Sequence, residues 1–193
     1  MVQLSTSGKA RFRALVFITL AAAIMRLLPH PYNFTPVAGM ALFGGAHFRD
    51  LRVAFAVPLF AMFASDLVLA GTIYDFSALR SMPLVYLAFA LTVVLGRLLG
   101  PRNSALRVGS ASVGAAVLFY LITNFGVWSR GTLYPMTWDG LVACYVAAIP
   151  FLRNAMLGNC FYAIVFFGGF RAAQRGFAGL RDDHSLRVGE ANP

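Results

Sequence analysis

Charge is scarce in this sequence, and negative charge is scarcer still. Only 12% of the 193 residues are charged, and 7 Asp and Glu stand against 16 Lys and Arg. Soluble domains carry about 25% charged residues. With 59% hydrophobic residues, the chain has too little polar surface to cover a core in water. The composition therefore excludes an ordinary soluble domain and predicts an integral membrane protein whose main partner is the lipid bilayer.

Cysteine and catalytic motifs are also scarce. The two cysteines, Cys144 and Cys160, fit no zinc, haem or redox spacing, and we expect them to be small packed residues. The sequence has no His-Glu-x-x-His, no Gly-x-Ser-x-Gly and no Gly-rich phosphate loop. We therefore expect a protein that is not an enzyme, with no catalytic residues, no metal site and no intrinsic cofactor.

A net charge of +9 is compatible with nucleic-acid binding, but the basic residues form neither one face nor one arm. They lie between apolar stretches, as the charges of cytoplasmic loops do. The polar segments between the apolar stretches divide the chain into about six transmembrane helices, which predicts an all-α fold. The expected spans are Ala14 to Leu28, Phe34 to Phe48, Val53 to Ala70, Met82 to about Leu95, Val108 to about Phe125, and residues 140–170.

The positive-inside rule orients these spans. With six spans and both termini in the cytoplasm, twelve of the sixteen Lys and Arg lie on the cytoplasmic side. We expect a multi-pass protein of the bacterial inner membrane, with one transmembrane domain over residues 1–180 and a disordered cytoplasmic tail over residues 181–193. The last apolar stretch contains Pro150, and it fits either one kinked helix or two short ones; the charge distribution favours one span.

Ionisable residues within a membrane are expensive, so they are paired, face a cavity, or both. Arg26 and Asp66 lie at similar depth near the predicted outer side, where they can form an ion pair. That pair either fixes the packing of two spans or lines an outward cavity. Arg153 and Asn154 follow Pro150 and indicate either a satisfied kink or a polar site.

Polar and aromatic residues collect on the same predicted outer side. The segment from Pro29 to Pro36 has three prolines in eight residues, which predicts a rigid extended connector. Taken singly, aromatic residues such as Tyr74 and Trp128 are typical membrane-interface anchors. Because they share one side with polar residues, together they suit the binding of a flat polar molecule. The predicted ligand-binding residues are His30, Asn33, Asp66, Tyr74, Asp75, Asn124 and Trp128, with Arg26 holding Asp66.

Several motifs resemble a family of uncharacterised bacterial membrane proteins. They are the segment from Leu28 to Val37, Ser65-Asp66-Leu67, Thr123 to Trp128, and Cys144 to Asn154. The architecture is similar to that of the S components of energy-coupling-factor vitamin transporters. It is nearest the BtuM-type proteins of cobalamin uptake, in which a cysteine after the third span ligates cobalt. Residues 71–82 of this chain contain no cysteine.

The resemblance implies an S-component-like helical bundle that binds a vitamin or cofactor, such as cobalamin, from the periplasmic side. It also implies an energising ATPase module as a partner for uptake. The alternative is a non-transporting membrane protein that is a structural or assembly partner of another membrane protein. The glycines from Gly39 to Gly45 support this alternative, since small residues let helices approach closely.

Overall fold

The computed structural model describes residues 6–73 and 82–181, and every regular element in them is helical. The all-helical fold expected from the sequence is confirmed for this part of the chain. The helices are α1 (Thr6–Met25), α2 (Val37–His47), α3 (Leu51–Thr72), α4 (Pro83–Leu99), α5 (Ala105–Trp128), α6 (Trp138–Ala147) and α7 (Ile149–Gly176), the last with a π-helical turn at Ile164–Gly168; a 3-10 turn, Ala178–Leu180, follows.

Helix starts coincide with capping residues and prolines. The Asp50 carboxylate accepts hydrogen bonds from the backbone N–H groups of Arg52 and Val53 at 2.7 and 3.2 Å and so caps α3. Ser104 caps α5 in the same way, and Thr137 caps α6. Proline occupies the first turn of α4 and of α7, where its missing N–H has no helical partner to lose.

Three helices are long and apolar enough to cross a membrane, namely α3, α5 and α7. The helices α2, α4 and α6 are apolar but shorter. These lengths and compositions support a membrane protein.

Helix α2 lies at the centre of the molecule. Gly39 to His47 are all buried, and α2 contacts α1, α3, α4, α5 and α7. Met40, Leu42 and Phe43 are among the most enclosed large side chains. The sequence predicted this segment as an ordinary short span. The structure instead encloses it in protein, which explains why all of its faces are apolar or small.

Glycines allow the other helices to approach α2 closely. A Cβ atom at Gly45 would overlap the carbonyl oxygen of Val93, and one at Gly96 would overlap that of Leu42. A Cβ at Gly44 would lie 2.6 Å from Pro58 of α3. Backbones that pack this closely require small residues. The Gly-rich stretch is therefore occupied by contacts within the chain.

Helices α6 and α7 are separated by a single turn residue, Ala148, and their contacts run antiparallel to α5. The contacts with α5 advance steadily along it: Tyr145 donates to the Leu121 carbonyl, Asn159 donates to that of Ser112, and Arg171 reaches Asn103 beyond the start of α5. The kink is at Ala148, before Pro150, because proline cannot continue the hydrogen bonding of the preceding turn.

Successive helices alternate in direction, so the connecting segments collect at two ends of the bundle, and the two ends differ. At one, here called the cavity end, the connector of residues 26–36 lies beside the end of α3 and the start of α4. The other, here called the basic end, contains the turns at 48–50 and 100–104, together with residues 171–181. Arginines from several helices meet at the basic end.

Candidate functional site

A cavity of about 420 Å³ lies at the cavity end, between the connector and helices α3, α4, α5 and α7. Cavities that hold small organic ligands span about 300–1,000 Å³ and combine apolar walls with a few polar groups. The cavity fits this description in both size and lining.

The connector forms one side of the cavity and is held in place by α7. Asn33 has φ of 61°, a left-handed conformation that asparagine tolerates better than most residues. The Asn154 amide donates to the Tyr32 carbonyl at 3.1 Å, and the Phe34 backbone packs directly on Gly158. Prolines restrict the remaining freedom, so the connector presents a fixed set of groups.

A buried ion pair anchors the same region. Arg26 lies just after α1, and its Nη1 is 2.5 Å from Oδ1 of Asp66 on α3. The same nitrogen donates to the Ser65 hydroxyl at 2.8 Å and to the Met62 carbonyl at 3.5 Å. Helix α3 thus places three acceptors around one guanidinium nitrogen.

The second oxygen of Asp66 is also used. The Tyr86 hydroxyl on α4 donates to Oδ2 at 2.6 Å, so the carboxylate links α1, α3 and α4. The Asp66 side chain is 1% exposed and that of Arg26 is 13% exposed. Arg26 lines the cavity, whereas Asp66 lies behind it. Asp66 therefore acts on the cavity by orienting Arg26.

Arg26 keeps unused donors toward the cavity. All its contacts within the described residues are made by Nη1, leaving Nε and Nη2 without a protein partner there. Among the described residues that line the cavity, Arg26 alone carries a permanent charge. A guanidinium in this position can bind a carboxylate, a carbonyl or a ring nitrogen of a ligand.

A second polar residue of the cavity wall, Asn159, lies on α7. Asn159 is 4% exposed and lines the cavity. Its amide nitrogen donates to the Ser112 carbonyl at 3.2 Å, and its amide oxygen has no partner among the described residues. An amide oxygen at a cavity wall accepts a hydrogen bond readily, so a ligand N–H or O–H would be stabilised here. Besides Arg26 and Asn159, the cavity is lined by apolar side chains, chiefly Phe89, Phe119, Met62, Leu69 and Val85.

The residues predicted from the sequence fall into three groups. His30 and Asn33 line the cavity, and Asp66 lies behind Arg26. Asn124 and Trp128 are not among the described residues that line it. Asn124 donates to the Tyr120 carbonyl of its own helix, and the Trp128 indole donates to the carbonyls of Pro135 and Thr137, which fixes the α5–α6 turn.

Two further predicted residues, Tyr74 and Asp75, lie outside the residues that the structure describes, and so does most of the predicted disordered tail, residues 182–193. Sequence reasoning missed Asn159, Thr92 and Phe119. Asn159 had a visible signal, because Gly158-Asn159 interrupts the last apolar stretch, but only the tertiary structure brings it opposite Arg26.

The polar groups of the described cavity wall come from arginine, histidine, asparagine, threonine and tyrosine side chains and from the backbone. Within residues 6–73 and 82–181, no group of three or more His, Cys, Asp or Glu is placed to hold a metal ion. The polar groups of the cavity are hydrogen-bonding and charged groups held by packing, which select and orient a ligand.

Comparison with known proteins gives a family but no activity. A family of unknown function (DUF6580) matches residues 6–180. Neither a curated protein nor a solved structure shows a significant match. Because the match covers nearly all of the helical bundle, this chain belongs to the DUF6580 family.

Proposed function

We propose that this protein binds a small organic molecule in the cavity between Arg26 and Asn159 and serves its uptake, as an S component does. The proposal relies on two polar groups that line one apolar cavity: the Arg26 guanidinium, whose Nε and Nη2 have no partner among the described residues, and the Asn159 side-chain amide. Such a site recognises a molecule with an acceptor at one end, a flat apolar middle and a donor at the other.

The proposal includes a place in the cell. The protein crosses the bacterial inner membrane about six times, with both termini in the cytoplasm and the cavity end toward the periplasm. The three long apolar helices support membrane insertion, and the arginines at the opposite end support this orientation. Uptake would then need an energy source outside this chain, such as a separate ATPase module.

The cavity volume limits the size of the ligand. A space of about 420 Å³ suits a molecule of one or two rings and is small for an entire corrinoid. The absence of cysteine from residues 71–82 points in the same direction. We therefore propose a small vitamin-like compound as the ligand, with cobalamin kept in the test as a competing outcome.

The alternative, a structural or assembly partner of another membrane protein, relied on the glycines from Gly39 to Gly45. Gly44 and Gly45 pack on α3 and α4 within the chain, and Gly39 packs on α7. They leave no small-residue face in α2 for a second protein. The binding function is therefore the better-supported proposal.

The first experiment is native mass spectrometry of the protein purified in mild detergent, combined with its visible absorbance spectrum. We expect one bound small molecule per chain, or one after soaking with a panel of vitamins. A corrinoid spectrum would replace the small ligand with cobalamin. A protein that stays empty with every compound would refute the binding function.

A cavity-filling variant tests the location. Ala155 lines the cavity and is only partly buried, so Ala155→Leu should occupy ligand space without destabilising the fold. We expect ligand retention to fall at least tenfold. The matched control is Ala143→Leu, an exposed alanine on α6 outside the cavity, which should retain the ligand. Equal retention by both variants would show that the ligand binds elsewhere.

A further inference from the structure

The basic end of the bundle contains a second site of different chemistry. A cavity of about 550 Å³ opens between the start of α1, the turn at 48–50 and the turn after α4. Four arginines line it, namely Arg11, Arg49, Arg97 and Arg102, and the described lining includes no carboxylate. A phosphate or another oxyanion can accept paired hydrogen bonds from guanidinium groups that line one space.

The turns that form this cavity are held rigidly. Arg97 donates through Nη1 to the Phe48 carbonyl at 2.7 Å and through Nη2 to the Arg49 carbonyl at 2.9 Å. Arg171 donates to the Asn103 side chain at 2.7 Å, and Asn103 in turn donates to the Gly100 carbonyl at 2.6 Å. Two arginines thus fix the walls of the cavity. Arg102 is exposed and makes no ion pair or hydrogen bond within the described residues.

A smaller apolar cavity of about 190 Å³ adjoins the basic one, and the two share Arg11, His47, Phe48 and Arg49. Its walls are chiefly the side chains of Phe12, Leu15, Phe48 and Val53, where α1 and α3 meet. Its one carboxylate, Asp50, accepts hydrogen bonds from the first turn of α3 and is occupied as a helix cap. An apolar groove next to an arginine-lined cavity matches a molecule with an anionic head and a hydrocarbon chain.

We propose that the basic end binds one anionic phospholipid, with its phosphate among Arg11, Arg49 and Arg102 and the start of one acyl chain between α1 and α3. Phosphate accepts paired hydrogen bonds from guanidinium groups, and basic pockets between membrane helices bind such headgroups. The lipid would join α1 to the α2–α3 turn. This site is separate from the cavity between Arg26 and Asn159, and it does not depend on what that cavity binds.

The test is native mass spectrometry of the protein in nonionic detergent with added phosphatidylglycerol or phosphatidylcholine. We expect one retained phosphatidylglycerol and far less phosphatidylcholine. Arg102→Gln should weaken retention about fivefold, since one basic residue near a membrane surface contributes about 1 kcal/mol. The matched control Arg153→Gln removes an exposed charge outside both basic-end cavities and should not change retention.

Two further experiments distinguish the contribution of the lipid headgroup from that of the acyl chain. Val53→Trp should fill the apolar groove and reduce phosphatidylglycerol retention without altering the charge, and glycerol phosphate should compete poorly because it has no acyl chain. Circular dichroism melting of each variant establishes that it is folded. Equal retention of the two lipids, equal effects of Arg102→Gln and Arg153→Gln, or full competition by glycerol phosphate would each overturn the assignment of an anionic phospholipid.

Discussion

The two ends of this bundle treat arginine in opposite ways. At the cavity end, Arg26 is mostly buried and shares one nitrogen among Asp66, Ser65 and Met62. At the basic end, Arg97 bonds only to backbone carbonyls, and Arg102 has no partner in the described part of the chain. A carboxylate balances the charge of Arg26 at the cavity end, whereas Arg97 and Arg102 have no carboxylate partner among the described residues.

The proposed membrane orientation accounts for this difference by the surroundings that it gives each group. In that orientation Arg26 lies within the bilayer, where an unpaired charge is costly, so it needs a carboxylate beside it. Near a surface that contains anionic lipids, an arginine is stabilised by the surroundings. The cavity end has a carboxylate, Asp66, beside its arginine, whereas the described lining of the larger basic-end cavity has none. This difference suits the cavity end to selective ligand binding and the basic end to binding anions.

The largest effect should come from removing the balancing charge. Asp66→Ala leaves Arg26 without its carboxylate and Tyr86 without its acceptor, and we expect a loss of about 3–5 kcal/mol in the free energy of unfolding. The measurement is equilibrium unfolding in mixed detergent micelles. The double variant Arg26→Leu with Asp66→Leu should recover most of the loss, since it removes both charges. A loss below about 1 kcal/mol for Asp66→Ala would indicate that water screens the pair.

A second prediction concerns α2, which lies between the two ends. Gly96→Val would force a side chain into the Leu42 backbone, and overpacking of this kind costs about 3 kcal/mol. The control is Gly109→Ala on α5, where an added Cβ meets no atom within 4 Å. Alanine is the better helix former, so the control should be neutral or slightly more stable. Equal stability of Gly96→Val and Gly109→Ala in the same unfolding assay would contradict the close crossing of α2 and α4.

The smallest effect should come from the basic end. Arg97→Gln loses two charge-assisted bonds to the turn at 48–50, and partial exposure limits the cost to about 1.5 kcal/mol. Arg102→Gln breaks no bond in the described structure and should change the free energy of unfolding by less than about 0.5 kcal/mol. If Arg97→Gln costs as much as Asp66→Ala, the two ends do not differ in how they stabilise charge.

Hydrophobic runs located most helices from the sequence alone. The expected span from Val53 to Ala70 corresponds to α3 (Leu51–Thr72), and that from Val108 to about Phe125 corresponds to α5 (Ala105–Trp128). Caps extend both helices beyond their apolar runs, because Asp50 and Ser104 satisfy the first N–H groups. The sequence also placed Arg26 and Asp66 at similar depth, and the structure brings them into contact.

The candidate site was less accessible to prediction. Asn124, a predicted ligand-binding residue, donates to the Tyr120 carbonyl of its own helix and is not among the described residues that line the cavity, an outcome that depends on side-chain rotamer and packing. Asn159 was not expected, because its position opposite Arg26 depends on how α7 packs along α5. Periodicity gives the depth of a residue in a membrane but not the face it presents when several helices are apolar on all sides.

By itself, the sequence determined that this is a helical protein suited to a membrane, since composition and uninterrupted apolar runs are local properties and lipid demands them. It also determined where arginines concentrate along the chain. Only the tertiary structure decided that α2 is enclosed, that its glycines serve internal contacts, and that Arg26 and Asn159 face one cavity. Those outcomes depend on close packing between distant segments, where one added carbon atom decides whether two backbones can meet.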